Sequence, residues 1–134
     1  MCEGLKKLED EAIRILLAGD DPVLDLLRRQ YEVAHVAGRE FSGMGFFANF
    51  IVPDETLSVL NGKNFAFGDV SAEIEGLQNG AGFVLHVQRG LLGFLEAFTY
   101  DEQWPGQITK FKLAYRGGKR DLEALRKRWL ETNR

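Results

Sequence analysis

Cysteine, histidine and long apolar runs are scarce in this sequence of 134 residues. The single cysteine, Cys2, has no partner within the chain, which excludes an intrachain disulfide and a cysteine-based metal site and fits a reducing compartment. No stretch of about 18 uninterrupted apolar residues occurs, so the sequence predicts no membrane-spanning helix. The first residues are charged where a secretory signal requires an apolar run. We therefore expect a cytoplasmic protein without a membrane partner.

Motifs for catalysis and for cofactor binding are also missing. The two histidines, His35 and His86, do not lie in a His-Glu-x-x-His spacing. The glycine pairs at 43–45 and 80–82 precede predicted strands, whereas a phosphate cradle needs a strand, then glycines, then a helix N-terminus. The serines lack a Gly-x-Ser-x-Gly elbow. The sequence therefore predicts no cofactor, no metal and no catalytic residue.

The net charge of −3 is distributed unevenly along the chain. Residues 1–109 carry eight Lys and Arg against seventeen Asp and Glu, which gives −9, and residues 110–134 carry nine against three, which gives +6. A basic tail of this kind either contacts nucleic acid or packs on the acidic body. Because the acidic body would repel phosphates, we favour packing and do not expect nucleic acid as a partner.

Apolar periodicity predicts helices at both ends of the chain. Residues 5–17 follow the apolar stripe of an amphipathic helix. Asp21 and Pro22 favour a second helix start, since aspartate caps free backbone N–H groups and proline is tolerated in the first turn. This helix should run to about Glu32. A closing helix, rich in arginine and lysine, should begin at Asp121.

The middle of the chain is rich in glycine, and its apolar residues alternate with polar ones, as in strands with one wet face. This pattern predicts strands at 33–41 with a bend at Gly38, at 45–52, 65–75, 83–88, 94–100 and 108–115. The last strand carries Lys110 and Lys112, which suit a sheet edge because lysine discourages pairing with another chain.

These elements predict a single α+β domain over residues 1–134. Residues 1–34 should be helical, residues 35–116 should form an antiparallel sheet of five or six strands, and residues 117–134 should form a basic C-terminal helix. Helices that precede and follow a run of hairpin-connected strands are expected to lie mainly on one face of the sheet.

Carboxylates and flat aromatic rings occur together near the end of the predicted hairpin. Alternation places Phe94, Glu96, Phe98 and Tyr100 on one face, which is typical of a surface for a cationic or amphipathic ligand. The candidate ligand or partner surface comprises His86, Glu96, Tyr100, Asp101, Glu102 and Trp104. A structural role is the alternative, in which the rings belong to the core and Glu96 pairs with a basic group, for example one from the closing helix.

The histidine of the hairpin adds a second interpretation. His86 can meet Glu73, Glu75 or Glu96 across the sheet, depending on the strand register. A histidine with a carboxylate partner can act as an acid, a base or a metal ligand. A structural histidine held within the sheet is the alternative.

Three segments resemble a pattern found in small uncharacterised bacterial proteins. They are Gly-Met-Gly-Phe-Phe at 43–47, Gly-Ala-Gly-Phe-Val-Leu at 80–85 and Leu-Glu-Ala-Phe-Thr-Tyr-Asp-Glu-Gln-Trp-Pro at 95–105. The resemblance covers about residues 40–115. It implies a compact single-domain cytosolic protein, and it supplies no established activity or catalytic residue.

Two classes of function remain open. The first is a non-enzymatic protein-interaction or regulatory module, for example an immunity-like protein, in which the sheet face or the turn at 100–104 receives a protein partner or a second copy of the chain. The second is a small ligand-binding protein or hydrolase that uses Glu96 and His86. We favour the first, because no catalytic motif accompanies the aromatic face.

Overall fold

The computed structural model describes residues 3–131, so Cys2 lies outside the described residues. The helices are α1 (Glu3–Leu16), α2 (Pro22–Val33) and α3 (Leu122–Glu131). The strands are β1 (His35–Phe41), β2 (Gly45–Ile51), β3 (Phe65–Ile74), β4 (Ala81–Gln88), β5 (Leu91–Thr99) and β6 (Phe111–Tyr115). Two short 3-10 turns, Glu55–Leu57 and Leu60–Gly62, connect β2 to β3. Over the described range, every helix is too short or too polar to cross a membrane.

The strands form one antiparallel sheet in the order β1-β2-β5-β4-β3-β6. Two helices precede the sheet and one follows it, which confirms the predicted α+β fold. The predicted bend in β1 is present as a shift in register between Val36 and Gly38. β6 lies at an edge of the sheet, with Lys112 exposed, as the lysines of this segment predict.

The last strand is shorter than the sequence predicts. β6 begins at Phe111, which pairs with Ile74, the last residue of β3, so the ladder stops there. Ile108 is buried instead beside the start of α1. A Cβ atom on Gly4 would lie 1.9 Å from the Ile108 carbonyl oxygen, so the helix can approach this segment only because residue 4 is glycine.

The helices pack on one face of the sheet, where their apolar sides meet the apolar side of the sheet. The predicted stripe of α1 is buried, including Leu8 and Leu16. From α3, the Trp129 ring contacts the rings of Phe65 and Phe67, at centroid distances of 5.9 and 5.6 Å. Burying a large apolar side chain contributes about 1.5–3 kcal/mol, so this face provides most of the stability of the fold.

Arg120 joins the last segment of the chain to the end of α1. Its guanidinium donates to the carbonyl oxygens of Leu16 and Ala18, at 2.7 Å each, and makes two hydrogen bonds to the Asp69 carboxylate, at 2.9 and 2.7 Å. It also lies over the Tyr115 ring, 4.7 Å from the centroid. A cation is favourable here because the carbonyl end of a helix carries a partial negative charge.

Two further arginines bind the same turn. Arg28 donates to the carbonyl oxygen of Gly19 at 3.0 Å. Arg126 of α3 pairs with Asp21, whose carboxylate also accepts from backbone N–H groups at the start of α2, as predicted for a capping residue. Two arginines of the basic tail, Arg120 and Arg126, thus pack on the acidic body.

Two polar contacts fix α1 to its neighbours. Arg39 of the edge strand β1 makes two hydrogen bonds of 2.8 Å to Glu9. Tyr31 of α2 donates to Asp10 at 2.7 Å. Burial, together with this hydrogen bond, raises the pKa of the Tyr31 hydroxyl.

Gln30 is a fully buried polar residue between α2 and the sheet. Its amide nitrogen donates to the carbonyl oxygens of Leu57 and Gly90, at 2.8 and 2.9 Å, and its oxygen accepts from the Leu92 backbone N–H at 2.8 Å. One side chain therefore satisfies three backbone groups and fixes the β4–β5 turn beneath α2.

Candidate functional site

The candidate site lies on the face of the sheet that the helices leave open. Three adjacent strands place a three-by-three grid of residues on this face, which we call the aromatic grid. Read from β2 through β5 to β4, its rows are Gly45, Phe98, Gly82; then Phe47, Glu96, Val84; then Asn49, Phe94, His86. Glu96 is the central position. Side chains directly opposite one another on adjacent strands have Cβ atoms about 5 Å apart, so Glu96 lies between the apolar side chains of Phe47 and Val84.

His86 and Glu96 form a half-buried pair within the grid. Nε2 of His86 lies 3.1 Å from Oε1 of Glu96, and the two side chains are 29% and 33% exposed. The His86 ring also stacks on Phe94, with centroids 4.2 Å apart and planes at 14°. Of the three carboxylates that the sequence allows as partners of His86, the register selects Glu96.

The phenylalanine rings of the grid support one another. Phe47 meets Phe94 edge to face, with centroids 5.7 Å apart, and Phe98 meets Tyr100 in the same way at 5.5 Å. The hydroxyl oxygen of Tyr100 accepts a hydrogen bond of 3.0 Å from Arg116, just after β6. Edge-to-face contacts of this kind add about 0.5–1.5 kcal/mol beyond burial, which fixes the orientation of the rings.

Gly82 provides the space in which one corner of this surface is built. A Cβ atom at this position would lie 2.6 Å from Cζ of Phe98, 2.8 Å from the Tyr100 hydroxyl oxygen and 2.9 Å from a terminal nitrogen of Arg116. The Phe98 ring therefore lies across the backbone at Gly82. Glycine is needed at this position because any side chain would displace all three groups.

We expect Gly82→Ala to lower the free energy of unfolding by about 1–3 kcal/mol, because an added methyl group overpacks this corner. Urea denaturation measures this change, and the amide resonances of Phe98 and Tyr100 should shift with it. Gly38→Ala is the matched control, since a Cβ atom on Gly38 meets nothing within 4 Å. Equal stability of Gly82→Ala and the parent chain would contradict the described position of the Phe98 ring.

The remaining predicted residues lie beyond the end of β5 and make other contacts. The Glu102 carboxylate accepts hydrogen bonds of 2.8 Å from the backbone N–H groups of Gln78 and Asn79 and so holds the β3–β4 turn. The Trp104 ring packs edge to face on the buried Phe46, on the helix side of the sheet. Asp101 is exposed and has a positive φ of 58°. The structure thus brings His86, Glu96 and Tyr100 to one face and places Glu102 and Trp104 in structural contacts.

Phe47 and Arg116 belong to this surface, although the sequence did not single them out. Phe47 lies directly opposite Glu96 because β2 pairs with β5, which is distant from it in sequence. The alternation of residues in β2 indicates the face on which Phe47 lies, because it puts Phe47, Asn49 and Ile51 on the same side of the strand. Arg116 could be assigned only once β6 was known to pair with β3.

Comparisons with protein-family models, with curated proteins and with solved structures found no match to this chain. Within residues 3–131, no three His, Cys, Asp or Glu side chains form a group that could hold a metal ion.

Proposed function

We propose that this chain is a non-enzymatic protein-interaction module that binds a protein partner through the aromatic grid. The observation that carries the proposal is the placement of Phe47, Phe94 and Phe98 on the sheet face without helices, each of them only partly buried. Tyr100, 41% exposed, and Ile51, 47% exposed, extend this apolar surface at its margins. Aromatic residues are enriched in protein interfaces, and clustered apolar surface of this kind marks interaction sites.

The physical properties of the grid suit binding. Each aromatic ring can bury about 150–250 Å² against a partner, and a few such anchors dominate the energy of most interfaces. The rings are already held by contacts with one another, so little side-chain entropy is lost on binding. A small protein with one such surface acts by covering a surface of its partner, which is the form that a regulatory or immunity-like function would take.

Site-directed photo-cross-linking tests this function. A chain with p-benzoylphenylalanine in place of Tyr100, on the rim of the grid, should capture a partner in cells. The same group in place of Arg29, which is exposed on α2, should not capture that partner. The captured partner, once purified, should bind the Phe94→Ala and Phe98→Ala variants at least about tenfold more weakly than the parent chain, as expected when an anchor of an interface is truncated.

A substitution on another part of the surface serves as the control for the two phenylalanine variants. Val33→Ala removes an exposed apolar side chain at the end of α2 and should leave the affinity unchanged. A second copy of the chain counts as the partner if the cross-linked product is a dimer. Unchanged affinity of both phenylalanine variants, or capture of the same protein from both cross-linking positions, would disprove the proposal.

The His86–Glu96 pair supports a second candidate, a small-molecule binding protein or hydrolase. A histidine within 3.1 Å of a carboxylate can pass a proton to a bound ligand. Stacking on Phe94, however, covers one side of the His86 ring. His86→Gln separates the two candidates. It should abolish a hydrolytic activity, whereas in an interaction module the His86→Gln variant should still bind the partner and should still lose affinity when Phe98 is replaced by alanine.

A further inference from the structure

Glu96 is the central charged group of the aromatic grid. Phe47 lies directly across from it, Phe94 and Phe98 flank it on the same strand, and Val84 lies on its other side. A carboxylate has about four sites that accept hydrogen bonds, and the contact with His86 uses one of them. The carboxylate is one-third exposed, so a group from outside can reach it.

We infer that this position receives a cationic side chain of the protein partner, an arginine guanidinium or a lysine ammonium group. This inference rests on the proposed function and names the chemistry of its central contact. A cation at Glu96 would form a charge-assisted hydrogen bond with the carboxylate while its edges contact the surrounding rings. Ring faces attract cations because the π system carries negative charge, and the attraction is stronger where water is partly excluded.

The charge of the chain also favours a cationic partner. Glu40 of β1 is exposed and lies directly opposite Phe47, so a second carboxylate borders the grid beside Glu96. Two of the basic residues after position 109, Arg120 and Arg126, are held by ion pairs in the layer that includes the helices. Two carboxylates on one surface attract a basic group from a distance and raise the rate of association.

Arg116 sets the orientation of the partner on the grid. Its guanidinium lies beside Gly82 and Tyr100, at the end of the grid where Phe98 lies, whereas His86 and Phe94 lie at the other end. A second cation next to Arg116 would be repelled. The partner should therefore place its cation over Glu96, with a neutral or acidic group toward Arg116.

NMR titration with a minimal probe tests this contact without knowledge of the partner. N-acetyl-L-arginine methylamide should shift the backbone amides of Phe94, Glu96 and Val84 in the intact chain, with shifts that grow with its concentration over a range of roughly 10–100 mM, since a single contact of this kind binds weakly. N-acetyl-L-citrulline methylamide has nearly the same shape and no charge. It should bind at least about tenfold more weakly, because it lacks the attraction to the carboxylate.

Glu96→Gln is the matching variant of the protein, since it keeps the size of the side chain and removes its charge. It should weaken binding of the arginine probe at least about tenfold. Glu73→Gln, which removes an exposed carboxylate from β3, should leave that binding unchanged. Three results would overturn the inference. The arginine and citrulline probes would bind with equal affinity, the Glu96→Gln variant would bind the arginine probe as tightly as the parent chain, or the probe would shift only amide resonances outside the grid.

The cross-linked partner distinguishes failure of this contact from failure of the proposed function. Partner binding that depends on Phe98 but is unchanged in Glu96→Gln would remove the cationic contact and leave the interaction function in place. Partner binding that is unaffected by Phe94→Ala and Phe98→Ala would remove the function, whatever the arginine probe shows.

Discussion

Replacing Arg120 by alanine is expected to lower the free energy of unfolding by about 2–4 kcal/mol, because a partly buried ion pair and two hydrogen bonds to backbone carbonyl groups are lost together. The Arg120 side chain is only 6% exposed, and it satisfies both oxygens of Asp69. The substitution also leaves the carbonyl oxygens of Leu16 and Ala18 without this donor. Urea denaturation of the purified variant measures the loss.

Two variants serve as controls for Arg120→Ala. Arg14→Ala removes an exposed i,i+4 pair with Asp10 and should leave the free energy of unfolding nearly unchanged. The double change Asp69→Asn with Arg120→Ala should be less destabilising than the sum of the single changes, because neither charge is then left without its partner. A loss below about 1 kcal/mol for Arg120→Ala alone would show that this arginine does not hold the end of α1.

Replacing Gln30 by alanine is expected to cost about 2–4 kcal/mol, because the Leu92 N–H and the Leu57 carbonyl lose their side-chain partner and the Gly90 carbonyl keeps only the Val59 N–H. The Leu92 amide should also exchange its hydrogen faster, since its N–H is bound by the oxygen of Gln30. Hydrogen exchange followed by NMR provides this local measurement, and urea denaturation provides the global one.

Gln103→Ala is the matched control, because Gln103 is exposed and its loss should change stability by less than about 0.5 kcal/mol. Unchanged exchange at Leu92 in Gln30→Ala would contradict the described contact. Both Arg120 and Gln30 lie on the helix side of the sheet, so the fraction of each variant that remains folded should still bind the arginine probe at Glu96.

Local signals in the sequence were sufficient to predict most of the elements. Asp21 and Pro22 marked the start of α2, Gly38 marked the bend in β1, and alternation put Glu96 and Phe98 on one face of β5. Each of these features depends on residues that are close in sequence, where capping, φ preferences and the two-residue period of a strand apply.

The rest depended on contacts between distant residues. The sequence did not reveal that β5 lies between β2 and β4, so the neighbour of Glu96 across the sheet, Phe47, was missed. Gln30 lies near the apolar stripe of α2. Apolar periodicity identifies a buried position only when its residue is apolar, so it did not predict a buried glutamine with three distant hydrogen-bond partners. The sequence indicated only that Arg120 belongs to a basic tail, and it did not predict which groups this arginine binds.

The hydrogen bond from Arg120 to the Leu16 carbonyl joins residues 104 positions apart. During translation, a nascent chain cannot form it until Arg120 has left the ribosomal tunnel, by which time every strand has already been synthesised. Contacts of such long range also carry a large loop-closure entropy. Residues 17–119 are therefore all synthesised before the end of α1 can gain this hydrogen bond.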